Sequence, residues 1–177
     1  MDLLQVPTAE IRYSVAFADE MYIHQAATDK ILQGSAIMGT QPRYNLALNT
    51  HEQVSELAES ITAELIVARY FGLDYDARQN NGKRHADVTM ANKQGLEIKW
   101  TKYESGHLII YPNDRDSDVA VMVVGKSPTY RIVGWIPVQF AKRAKYKHRS
   151  QDSWWIEQHN LFPIEDLVRS EHGRSLI

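Results

Sequence analysis

The sequence predicts an α/β (α+β) fold, a central mixed β-sheet flanked by helices. Three observations carry this. Residues 51–71 repeat apolar side chains at helical spacing. Residues 86–101 alternate apolar and polar residues in two runs joined by a turn. Residues 119–124 form an unbroken apolar run followed by a partner run at 130–136. Alternating and continuous strands mixed with amphipathic helices suit a sheet covered by other layers.

The elements are expected in the following order. Residues 8–32 read as a helix capped by Thr8, because Ile11, Val15, Ala18 and Tyr22 recur at helical spacing. Gly34, Gly39 and Pro42 break the chain into a loop up to Thr50. The clearest helix spans 51–71. Thr50 and Gln53 make a capping-box pattern, Val54, Leu57, Ala58, Ile61, Leu65 and Ala68 make one stripe, and Gly72 stops it. Glu64 lies on the flank of that stripe. A polar loop covers 74–85, and a hairpin covers 86–101. Residues 107–111 form a short strand and 112–118 a loop. Residues 119–124 form a strand buried on both faces, paired with 130–136 across Gly125-Lys126-Ser127-Pro128. Pro137 begins a helix to Tyr146, Trp154-Trp155-Ile156 is a last strand, and 164–169 a last helix. Residues 1–49 are read as an N-terminal helical extension packed on a single core domain of 50–177.

Composition narrows the class. A chain of 177 residues buries roughly 70% of its unfolded surface, enough for a core without staples. The absence of cysteine excludes disulfides, zinc–thiolate sites and cysteine nucleophiles. Met1 to Glu10 has no basic start followed by an apolar run, and no stretch approaches ~20 apolar residues, so a cytoplasmic chain with no membrane partner is expected. The net charge of −2 is unevenly spread. Residues 1–76 hold four Arg and Lys against eleven Asp and Glu, and residues 77–177 hold sixteen against eleven. A basic second part permits a nucleic-acid face.

The hairpin places charge where charge is costly. Leu96, Ile98 and Trp100 alternate with Glu97, Lys99 and Thr101, and Ala86, Val88 and Met90 alternate with Asp87 and Thr89. Facing residues of an antiparallel pair share a side. Asp87 therefore joins Glu97 and Lys99 only if the loop has an odd number of residues; an even loop would bury a lone carboxylate among apolar side chains, at several kcal/mol. Three odd loops are open. A turn at Lys93-Gln94-Gly95 pairs Asp87 with Thr101 and leaves Glu97 ~13 Å along the strand. A loop of Asn92-Lys93-Gln94 pairs Asp87 with Lys99, and one of Met90 to Gln94 pairs Asp87 with Glu97. The wider loops let both carboxylates reach one cation.

Asp87 and Glu97 on one face, beside Lys99, form an oxygen-rich site suited to Mg2+ or Mn2+, with the Ile98 carbonyl as a further ligand. Lys99 beside it could orient or deprotonate a water and stabilise phosphate charge. The cation would acidify water and neutralise charge on phosphorus, which is chemistry for phosphodiester hydrolysis. The plain alternative for a Glu-x-Lys strand is a solvated sheet face.

These residues resemble the PD-(D/E)XK nuclease superfamily, the restriction-endonuclease-like fold, in its small phage and prokaryotic forms. The matching pieces are Ala63-Glu64-Leu65 in the first core helix, Ala86-Asp87-Val88 in the next strand and Glu97-Ile98-Lys99 in the strand after it. Ala86 stands where the family has proline, and residues 112–118 are too short and polar for its second core helix. The resemblance implies that Asp87 and Glu97 bind magnesium or manganese, that Lys99 assists the attacking water, and that Glu64 completes or water-links the metal site. It implies a DNA-cleaving enzyme acting inside a cell and phage-encoded in some forms, with endonuclease favoured over exonuclease and the two left open by the motifs. A homodimer is compatible with it, since cutting both strands often uses two active sites. The rival reading is a nuclease-like module that binds nucleic acid without cleaving it.

Two basic clusters are candidates for DNA contact. Residues 141–149 carry five Arg and Lys; on a helix Lys142 and Lys145 would share one face, and Arg143 and Lys147 another. Lys83, Arg84 and His85 stand immediately before Asp87. Such groups contact phosphates and give affinity without sequence information.

Overall fold

The computed structural model describes residues 11–33, 48–79 and 85–173. Its strands are β1 (Ile11–Ser14), β2 (Val88–Thr89), β3 (Gly95–Thr101), β4 (Leu108–Ile110), β5 (Val119–Lys126), β6 (Thr129–Pro137) and β7 (Trp154–Ile156). Its α-helices are α1 (Phe17–Leu32), α2 (Thr50–Tyr70), α3 (Val138–Ala141) and α4 (Ile164–Arg169). The five-stranded sheet runs β1-β6-β5-β3-β2, with β3 and β5 parallel and the other pairs antiparallel. The α/β reading thus holds, with a mixed sheet and flanking helices.

The central strand explains the layering. All of Val119 to Val124 is buried, so β5 needs cover on both faces. One face, with Val119, Val121 and Val123, meets Leu96, Ile98, Val88 and the α2 residues Ala63, Ile66 and Val67. The other face, with Ala120, Met122 and Val124, meets Leu108, Ile110 and Ile156 of the small antiparallel β4–β7 sheet, together with Val138 and Ala141 of α3. A third cluster joins Ile23, Ala26 and Ala27 of α1 to Ile61 and Leu65 of α2.

Helix α2 begins one residue earlier than the sequence suggests. Asn49, not Thr50, is the cap. Its side chain accepts from the Glu52 backbone N–H at 3.1 Å, and Glu52 accepts from the Asn49 N–H at 2.8 Å. Gly72 ends the helix with φ +65°; Leu73 N–H reaches the Ala68 carbonyl and Gly72 N–H that of Arg69. This is the Schellman closure that a left-handed glycine permits.

Two expected helices are corrected. Of the region read as helical from residue 8, residues 11–14 form an edge strand on β6, and α1 starts only at Phe17. Ile11 and Val15 fit both periods, but Ile11, Tyr13 and Val15 also alternate, and the open edge of β6 selects the extended form. Residues 8–10 of that expected helix lie outside the described residues, as does the loop from Gly34. The helix expected over 137–146 is one turn, α3, followed by a 3-10 turn at Ala144–Tyr146. Within α3, Val138 and Ala141 are buried on the apolar core, and Lys142 then turns its side chain to the loop before β5. Residues 102–118 connect β3 to its parallel neighbour through β4 and a turn, with no helix. Among the described residues no helix is long and apolar enough to cross a membrane.

Candidate active site

The turn between β2 and β3 sets the register. Val88 faces Leu96 and Thr89 faces Gly95, leaving a five-residue loop, Met90 to Gln94. Continuing that register by one residue sets Asp87 opposite Glu97, the widest of the three odd loops. Lys93 takes the left-handed conformation, φ 67°, and the Met90 N–H closes the loop on the Gln94 carbonyl at 2.9 Å. Gly95 is not the turn residue. It lies in β3, where an added Cβ would come within 2.4 Å of Asp118 Oδ1.

β2 is short, and it pairs with β3 only at Leu96 and Gly95. Beyond them Asp87 takes over the strand edge: its Oδ2 accepts the Ile98 backbone N–H at 2.7 Å. In a strand the N–H and C=O of one residue point the same way, so the Ile98 carbonyl faces this edge too.

Glu97 and Lys99 project on the side of the sheet away from α2, and both are partly exposed, at 21% and 18% of their side chains. The Lys99 ammonium donates to Glu97 Oε1 at 2.8 Å and to Asp114, whose Oδ1 and Oδ2 lie 3.0 and 2.9 Å away. Glu64 arrives from α2 and accepts from the Tyr75 hydroxyl at 2.6 Å.

The electrostatics join these groups. Burial, and after it the charges of Glu64 and Glu97, push the Asp87 carboxyl well above the usual carboxylate range. Burial also raises Glu64, with Glu97 adding to the effect and the Tyr75 hydrogen bond and Lys30 opposing it. For Lys99, burial acts against the charged form, but Glu97 and Asp114 outweigh it and raise its pKa, so the group is an ammonium at neutral pH. Tyr75 is raised by burial and by Glu64, and keeps its proton.

The site therefore brings Glu64, Asp87 and Glu97 within each other's electrostatic reach, with the Lys99 ammonium in contact with Glu97. A hard cation is the chemical complement of that donor set. Each carboxylate is nevertheless engaged by a different donor, and among the described residues no three acidic or histidine side chains converge to hold an ion. The arrangement suits the simpler magnesium mode, in which one or two carboxylates and water or phosphate complete the shell. Asp87, Glu97 and the Ile98 carbonyl are its candidate protein ligands, and Glu64 is an outer carboxylate.

Tyr75 and Asp114 are site residues that the sequence did not single out. Tyr75 comes from the loop after α2 and Asp114 from the loop between β4 and β5, and neither belongs to a spaced motif.

The basic candidates divide. His85 is exposed and lines a polar groove with Lys93, Gln94 and Arg115 at the hairpin turn. Lys83 and Arg84 lie outside the described residues. Lys142 is held at home: its ammonium bonds Asp116 at 2.6 Å and the carbonyls of Asp114 and Pro112 at 2.6 and 3.2 Å. Because α3 stops at Ala141, Lys142 and Lys145 do not share a helix face. Arg143 stacks over Phe140 at 4.5 Å and Lys145 over Tyr146 at 4.4 Å. Lys147 bonds Asp152 and lies 4.0 Å over the Trp154 ring.

Comparison with protein-family models, with curated proteins and with solved structures returns no match for this chain.

Proposed function

We propose that this protein is a Mg2+- or Mn2+-dependent nuclease that hydrolyses phosphodiester bonds in DNA, with endonucleolytic cleavage favoured. The observation that carries the reading is the pairing of Asp87 with Glu97 at the open edge of β3, beside the Lys99 ammonium and within the field of Glu64. Carboxylates crowded together at a partly buried site are costly unless a cation offsets them, and a phosphate diester brings charge that the same cation and Lys99 can share.

Asp87, Glu97 and the Ile98 carbonyl would hold the divalent ion, which supplies charge neutralisation at phosphorus and acidifies water. Lys99, a cation at neutral pH, stabilises negative charge on the reacting phosphate and orients the nucleophilic water; it is not the base. Glu64, whose carboxylate accepts from the Tyr75 hydroxyl, would serve as a carboxylate that water-links to the ion. Arg143, Lys145 and, on release from Asp152, Lys147 offer phosphate contacts, and Lys83, Arg84 and His85 precede Asp87 in the chain.

The test is incubation of the protein and its Lys99→Ala variant with linear, circular, single-stranded and branched DNA, with and without manganese. Metal-dependent cleavage of circular DNA by the wild type alone is the expected result. Binding without cleavage of any substrate would favour a nucleic-acid-binding module.

A further inference from the structure

We infer that Asp114 is a positioning residue for Lys99: it keeps the ammonium at the rim of the acid site, and Lys142 fixes the loop that carries it. The catalytic consequence rests on the nuclease reading above; the geometric content does not.

A lysine ammonium is a point charge on a flexible stem with three donors. One carboxylate cannot fix its direction. Lys99 has two, Glu97 on its own strand and Asp114 across the gap to the β4–β5 loop. Asp114 has 8% of its side chain exposed, against 21% for Glu97, and presents both oxygens to Lys99 at about equal distance. Its carboxylate is itself held. Oδ2 accepts the Tyr111 N–H at 2.8 Å while the Asp114 N–H returns to the Tyr111 carbonyl at 3.1 Å. Lys142 then binds the Asp114 carbonyl at 2.6 Å, together with Pro112 and Asp116. The order is one of support: Lys142 holds the loop, the loop holds Asp114, and Asp114 holds Lys99.

The division of labour follows from the chemistry. Glu97 is a candidate metal ligand, so a bound cation would compete with Lys99 for its oxygens. Asp114 has no such competing task. With Asp114 in place, Lys99 keeps one fixed partner and remains beside the phosphate; without it, the stem is free to swing into solvent.

The experiment uses the full chain, Asp114→Asn and Asp114→Glu. Relaxation of the 15N-labelled Lys99 ammonium measures its mobility with and without magnesium, and steady-state cleavage with magnesium measures kcat and KM. In Asp114→Asn the ammonium becomes more mobile, most clearly with magnesium present, and kcat falls about 10–100-fold with KM little changed, as for other residues that orient a reacting group. Asp114→Glu, which keeps the charge, restores part of both. Wild-type ammonium mobility in Asp114→Asn overturns the inference. So does wild-type kcat in Asp114→Asn when the wild type cleaves DNA. If the wild type cleaves no DNA, the nuclease reading fails, while the mobility comparison still decides the placement of Lys99 by Asp114.

Discussion

Asp87 and Ile98 are joined across the edge of the sheet: a carboxylate oxygen of one accepts the backbone N–H of the other at 2.7 Å. The bond does for β3 what a longer β2 would have done, and uses a charged side chain to do it. It leaves Asp87 Oδ1 and the Ile98 carbonyl on the same open edge, next to Glu97.

Divalent cations should raise the melting temperature if Asp87 and Glu97 share an ion. At about 100 times the dissociation constant the gain is about 2.7 kcal/mol, or about 5–10 °C for a chain of this size. Asp87→Ala and Glu97→Gln should each lose most of that gain and all detectable cleavage. A magnesium titration followed by thermal unfolding reads it; equal shifts in wild type and both variants would count against the site.

In chelator, stability should depend on pH with a sign set by Asp87 and Glu64. Both carboxyls are raised in the folded protein, by burial first. The folded state therefore binds more protons than the unfolded one between the unfolded values, about 4, and the higher folded ones. Stability is greatest below that window and falls as pH rises through it. Asp87→Asn should flatten the fall and melt higher than wild type at neutral pH. Melting curves from pH 4 to 8 provide the measurement.

Lys99→Met should separate chemistry from metal binding. Loss of the ammonium removes charge stabilisation at the phosphate, for which about 10²–10³-fold in kcat is typical. It also frees Glu97 Oε1, so magnesium should stabilise this variant at least as much as the wild type. Calorimetric titration with magnesium alone, set beside kcat, shows whether the two effects diverge.

Tyr75→Phe removes the hydroxyl that Glu64 accepts from. A buried acceptor left without its partner costs about 1–3 kcal/mol, visible as a lower urea midpoint with unchanged slope. The penalty should shrink at low pH, where Glu64 is protonated.

The basic residues of 142–147 should behave as two sets. Lys142→Ala removes bonds to two carbonyls and a carboxylate and should destabilise the fold by about 1.5–3 kcal/mol. Arg143→Gln with Lys145→Gln should leave stability nearly unchanged but flatten the salt dependence of DNA binding, by about 0.9 in the log–log slope for each phosphate no longer neutralised. An unchanged slope would remove this segment from the DNA surface.

The hairpin is the most legible part of the sequence, because burial of Leu96, Ile98 and Val88 leaves only odd loops, and the sharing of one ion favours a wide one. The central strand is legible for a similar reason: six consecutive apolar residues admit little else. The cap at Asn49 lies one position before the expected one because Asn49-Thr50 offers two good caps, and Glu52 decides between them from the third helical position. The start of the chain misleads because Ile11 and Val15 satisfy two periods at once. Asp114 and Tyr75 leave no local pattern; each is defined by a partner in another element, and only the folded chain brings them together.

β3 also carries a consequence for handling the protein. Past Leu96 its outer rim has no partner strand among the described residues, and an unmatched rim invites intermolecular strand addition unless charge repels it. Asp87, Glu97 and Lys99 are the charged guards at that rim as well as the groups proposed to act in catalysis. Neutral variants made to silence chemistry therefore also remove protection against self-association, and light scattering belongs beside every assay of them.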